Sequence, residues 1–254
     1  MLAGLIKKEL AEIIKTNKAL PLLVIFLIIG FSSPITAEFM PKIISRLASS
    51  FPGAVFMLPK PTPLDACHQL AKNLYQIAMV VVILIGMNSI VEERTNGSLS
   101  LLFTKPVHPL KYILGKYIAY GLLLLTAILI SFIACAAYTK FIFDDALLPG
   151  YLRSGPIIVA DYLALLAVVV FWSSATARTG SSALASFLSY TVIAFFSFIF
   201  QEVNLIPAYH QNAVKLGFQH LIFKDTILYI VLVDLLTILF FLYLANFLFK
   251  KRDI

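Results

Sequence analysis

The chain is short of charge. Asp, Glu, Lys and Arg make up 13% of its 254 residues, where an ordinary soluble domain carries about a quarter. Hydrophobic residues make up 60%, and the mean hydropathy is +0.93. So little polar surface cannot cover a core of this size, which excludes a soluble globular enzyme. Disorder is excluded as well, because disordered chains are poor in apolar residues. Cysteine is scarce: Cys67 lies in a polar stretch and Cys135 in an apolar run, so neither a disulfide framework nor a CxxC metal site is present. No basic run exceeds Lys250-Lys251-Arg252, so the net charge of +7 does not point to nucleic acid.

Catalytic signatures are missing too. The chain has no GxxxxGK[ST] phosphate loop, no HExxH pair and no GxSxG elbow. The four histidines, His68, His108, His210 and His220, are scattered over segments expected on opposite sides of a membrane. They are therefore not expected to converge on one metal. The sequence predicts no catalytic residue, no metal and no cofactor held by this chain.

What is present is a series of continuous apolar runs of about twenty residues, the length that crosses a bilayer as a helix. Six candidates are Ala19–Ala37, Leu74–Val91, Tyr117–Tyr138, Pro156–Ala175, Ala183–Phe200 and Ile227–Phe249. Their apolar residues do not alternate, so they are helices rather than barrel strands. The expected fold is all-α, one polytopic membrane domain over 1–254. An even number of spans puts both termini on one side. Twelve of the twenty Lys and Arg then fall in the segments on that side, so the termini are expected in the cytoplasm and the protein in the cell membrane.

Residues 1–18 carry Leu2, Leu5, Ile6, Leu10, Ile13 and Ile14 on one helical face, with Lys7, Lys8, Glu12 and Lys15 on the other. This is the pattern of an amphipathic helix lying on a membrane surface. Glu9 interrupts the apolar face and needs a partner, which could sit on another chain. Thr62, Pro63 and Asp65 read as the start of a helix that projects outward before the second span. Residues 40–48 are expected to form a short interfacial turn. The mixed loop 201–225 could dip back toward the membrane, provided its backbone is covered. Tyr112, Tyr117, Tyr138, Tyr151 and Tyr162 fit an interfacial belt, and Ser173 and Ser174 either line a vestibule or satisfy neighbouring backbone.

Segment 92–116 is the most informative. Glu92-Glu93-Arg94 leaves the second span, Asn96-Gly97 makes a turn, and a short apolar helix starting near Ser98 stops at Pro106. Leu99, Leu102 and Phe103 form its apolar face, which either packs beneath its own bundle or plugs into a partner. This stretch resembles the membrane subunits of ATP-binding-cassette exporters, the type-two permease family. The likeness rests on Glu93, Gly97-Ser98-Leu99, Leu101-Leu102, Pro106 and Gly115-Lys116, with Lys7-Lys8-Glu9-Leu10 before the first span. His108-Pro109 departs from the family's usual Ser-Arg.

The resemblance implies a coupling helix between the second and third spans that docks onto a separate ATPase. Glu92, Glu93, Gly97, Leu99, Leu102, Phe103 and Pro106 would be its docking residues, with Lys8 and Glu9 on the interfacial helix beside it. It further implies two permease chains, alike or different, two ATPase subunits that hold the ATP and magnesium, and a transport path within the lipid bilayer.

Two carboxylates lie inside the apolar runs, Asp234 about eight residues (roughly 12 Å) into the sixth span and Asp161 near the outer end of the fourth. With Glu202 they are candidate pathway residues, because a charge within a membrane needs a reason. They also support the alternative of an ion-coupled transporter. A further alternative is a membrane scaffold that recruits a partner through 92–116.

Overall fold

A computed structural model describes residues 2–48, 60–99, 108–199 and 210–251. Helix α1 (Leu2–Lys15) precedes α2 (Ala19–Ala48). The third helix, α3 (Pro63–Thr95), contains a π-helical turn at Leu74–Ala78 and a break at Met87. Then come α4 (Pro109–Phe143), α5 (Leu148–Ala175), α6 (Thr179–Ile199), the short α7 (His210–Phe218) and α8 (Lys224–Lys251). Among the described residues no strand occurs. Among the described residues, five helices are long and apolar enough to cross a membrane: Ala19–Leu47, Pro63–Thr95, Pro109–Phe143, Leu148–Ala175 and Lys224–Phe249. The expected fifth run, Ala183–Phe200, falls on α6, which is not among those five.

Helix α5 is central. Ile157, Ile158, Val169 and Val170 are fully buried, and α5 packs against α3, α4, α6, α7 and α8, most extensively against α8. Helices α2 and α4 form the second large contact. They approach closely because position 30 has no side chain: a Cβ on Gly30 would lie 2.6 Å from the Ser131 carbonyl oxygen and 2.9 Å from the Ala134 Cβ. Large apolar side chains cover the outside, including Leu184 and Leu188 on α6 and Leu236, Phe240 and Tyr243 on α8. Such a surface needs lipid or protein against it.

Several boundaries differ from the sequence reading. Residues 40–48 do not turn; α2 runs through Pro34 and Pro41 to Ala48. Helix α5 begins eight residues before Pro156, with Pro149 in its first turn, where a missing N–H costs nothing. Asp161 is therefore not near the outer end but thirteen residues in, roughly 20 Å along the helix. The early start of α3 is as expected: the Thr62 N–H and hydroxyl both donate to Asp65 Oδ2, at 2.8 and 2.7 Å. Of the tyrosines assigned to an interfacial belt, Tyr112, Tyr151 and Tyr162 are buried. Tyr162 donates to the Leu74 carbonyl at 2.6 Å, and an aromatic with a polar tip is well suited to that task inside a bundle.

Candidate functional sites

One end of the bundle gathers α1, the exit of α3, the start of α4 and the C-termini of α5 and α8. Here Glu9 and Glu93, 3% and 7% exposed, surround the ammonium of Lys116, itself 2% exposed. Lys116 Nζ lies 2.8 Å from Glu9 Oε2 and 3.1 Å from Glu93 Oε1. Lys8 adds a second cation, 2.8 Å from Glu93 Oε1 and 3.2 Å from Glu9 Oε1. The Tyr112 hydroxyl donates to Glu93 Oε2 at 2.5 Å. Burial alone would lower the Lys8 pKa, but the Glu93 hydrogen bond and the two carboxylate charges outweigh it and hold Lys8 above the usual lysine range.

Lys116 is buried in the bundle, so a lone cation there would be unfavourable. The two carboxylates reverse that balance. Glu9 thus has its partner on its own chain, not on another one. Glu93 braces α3 to the N-terminal helix through Lys8.

Neighbouring groups fix the exit of α3. Lys18 pairs with Glu92, and the Arg94 guanidinium donates to the Ser174 and Thr176 carbonyls at 3.0 and 2.8 Å, closing the end of α5. Gly97 has φ +71°, the left-handed conformation that follows a helix end and favours glycine. The Ser98 hydroxyl donates back to the Glu93 carbonyl at 3.2 Å. Leu99 is 4% exposed and belongs to the chain's own core. Leu102, Phe103, Pro106 and Glu202 lie outside the described residues. Ser173 satisfies backbone, donating to the Met87 carbonyl and accepting from the Ile90 and Val91 N–H groups around the break in α3.

The second site lies deeper in the bundle, at the middle of α5. Helix α7 runs antiparallel along α5. The Ser154 hydroxyl donates to the Val214 carbonyl at 2.8 Å, and Gly217 faces Ser154 so closely that a Cβ would meet its Oγ at 2.5 Å. Phe218 covers Gly150. This path carries His210, at the start of α7, down to Asp161. His210 Nδ1 lies 2.5 Å from Asp161 Oδ1 and 3.7 Å from Asp234 Oδ2.

Tyr75, in the π-helical turn of α3, donates to the other oxygen of Asp161. Such single-turn insertions recur at functional sites. His210 and Asp234 are fully buried and Asp161 is 7% exposed. Burial lowers the His210 pKa, with the Asp234 charge pulling the other way. Sequence reasoning took Asp161 and Asp234 as separate candidates and His210 as one of four scattered histidines; the fold brings the three together. The signal that could have found the histidine was the mixed apolar loop around it, which predicts a buried backbone but not which helix it meets.

An all-helical bundle with five bilayer-length apolar helices and an apolar exterior defines a multi-pass membrane protein. Residues 68–216, more than half of the chain, match the family described as ABC-2 family transporter protein. The chain belongs to that family and is a permease-type membrane component, not itself catalytic. It is similar to an uncharacterized transmembrane protein, YxlG, of Bacillus subtilis (strain 168), with 24% identity over 146 residues. The match covers 58% of this chain and 57% of that relative, little more than half its length.

Proposed function

We propose that the chain is the membrane subunit of an ATP-driven exporter, built from two six-helix permease chains and powered by two separate ATPase subunits. In this reading both termini are cytoplasmic in the cell membrane, α6 is the fifth of the six spans, and α7 is a re-entrant helix on the outer side. The observation that carries the reading is the charge cluster of Lys8, Glu9, Glu93 and Lys116 at the mouth of segment 92–116. It ties the interfacial helix, the end of α3 and the start of α4 into one unit. A push received by the coupling segment from an ATPase therefore reaches three helices at once. The second span is further pinned to α5 through Arg94, and α5 is the centre of the bundle, so the motion extends to the whole chain.

Leu102 and Phe103 serve as the apolar anchors on the ATPase, and Leu99 holds the segment to its own bundle. The test is purification in mild detergent with the natural neighbours, comparing wild type with Leu102→Glu by mass spectrometry. An ATPase that accompanies the wild type and is lost from the variant supports the reading; a chain that emerges alone in both cases sinks it. A second reading, ion-driven transport, is favoured by the buried Asp161–His210–Asp234 group. It requires transport to fail on Asp234→Asn and to survive Leu102→Glu.

A further inference from the structure

Both carboxylate clusters in this chain bring three or more acidic or imidazole groups within a few ångströms, but they are not alike. Glu9, Glu12 and Glu93 come within 4.8 Å of one another, and the ammonium groups of Lys8 and Lys116 already lie among them. Asp161, His210 and Asp234 form an equally close group with no cationic side chain in it. Asp234 is fully buried, yet neither of its oxygens has a hydrogen-bond donor, and His210 Nε2 is buried without a partner too. A desolvated carboxylate with nothing to receive is costly.

A purely structural lock does not account for this. Asp161, His210 and Tyr75 already hydrogen-bond α5, α7 and α3 together. Asp234, on α8, adds a second buried acid that meets Asp161 and lies 3.7 Å from the imidazole. It gains a role when a cation sits between the two carboxylates.

We propose that Asp161, His210 and Asp234 form a binding site for one divalent transition-metal cation of the zinc class, held between α5, α7 and α8. Two carboxylates neutralise the doubly charged ion, and the imidazole supplies a nitrogen donor that selects against magnesium and calcium, which take oxygen ligands. Ligand bonds of about 2.0–2.2 Å separate donor atoms by roughly 3–3.5 Å. Asp161 and the imidazole therefore open slightly from 2.5 Å, and Asp234 closes slightly from 3.7 Å. Tyr75 orients Asp161 from outside, as second partners of metal ligands commonly do. A cavity of about 10 Å³ bordered by Tyr75, Met79, Asp161, Tyr162, Leu165 and Tyr190 leaves room for one water-sized ligand beside the site.

The experiment uses the full chain in lipid nanodiscs, stripped with a chelator and titrated with Zn²⁺ by calorimetry, with Mg²⁺ as control. The expected result is one Zn²⁺ per chain and no Mg²⁺. Affinity should fall at least about thirtyfold in both Asp234→Asn and His210→Gln, and about tenfold or more in Tyr75→Phe. X-ray absorption at the zinc edge on the wild type, which needs no variant to fold, should read one imidazole with oxygen ligands. Less than a tenth of an equivalent bound, equal binding by wild type and Asp234→Asn, or a zinc spectrum without imidazole would each overturn the proposal.

Discussion

Replacing Lys116 by Met removes the cation that lies between Glu9 and Glu93 while keeping most of the side-chain volume. The three groups are 2%, 3% and 7% exposed, so water cannot take the lost partner's place. Breaking a buried ion pair by removing one member costs about 3–5 kcal/mol, most of it the penalty of the abandoned charge. Lys8 touches the same two carboxylates but its side chain is 45% exposed, and Lys8→Met should cost about 1 kcal/mol or less. The double variant Glu9→Gln with Lys116→Met leaves Lys8 with Glu93 and the more exposed Glu12, with Tyr112 still donating to Glu93. It should therefore be more stable than Lys116→Met by itself. Unfolding in graded detergent, followed by tryptophan fluorescence and by protection of α1 from proteolysis, measures all three. The reasoning is refuted if Lys116→Met loses no more stability than Lys8→Met, or if adding Glu9→Gln recovers nothing.

Two further outcomes follow from the same geometry. Gly30→Ala should destabilise the chain by about 1–3 kcal/mol, because the new methyl group presses on the backbone of α4 and the helices must part; an unchanged melting temperature would show that α2 and α4 are not this close. The Lys8 pKa is raised, so its contribution is complete below the ordinary lysine value of 10.5 and declines only as pH climbs from there through the higher folded value. Hydrogen exchange of α1 should accordingly give the same protection at pH 7 and pH 9, after correction for intrinsic rates, and a loss of protection over that interval would contradict the pairing.

Much of the bundle was legible because membrane helices announce themselves. Their backbone must be satisfied within each segment, so continuous apolar length marks them. The helix start at Thr62–Asp65 was legible because capping chemistry is local. The errors came from proline. The stretch around Pro41 was read as a turn and Pro156 as the start of a span, yet both prolines sit inside helices, where packing against neighbours and lipid outweighs the local preference that governs water-exposed chains. That misplacement of the start of α5 also put Asp161 too near the surface.

The two sites differed in legibility for a physical reason. Glu9 and Glu93 were conspicuous as acids flanking apolar segments, and a buried acid demands a cation. Which cation was not readable, since Lys116 is 107 residues from Glu9 along the chain. His210 was harder still, because its place depends on α7 folding back along α5 through the small residues Gly217, Ser154 and Gly150. No local pattern encodes that pairing.

The proposed function requires this permease to work as a pair driven by separate ATPases. Native mass spectrometry of the membrane-extracted complex tests it most directly. The expected mass is that of two permease chains with two ATPase subunits, at 28.2 kDa for each copy of this chain or with one replaced by a related permease. The chain recovered as a lone monomer, or as a dimer with no ATPase under conditions that preserve other transporter complexes, would contradict it.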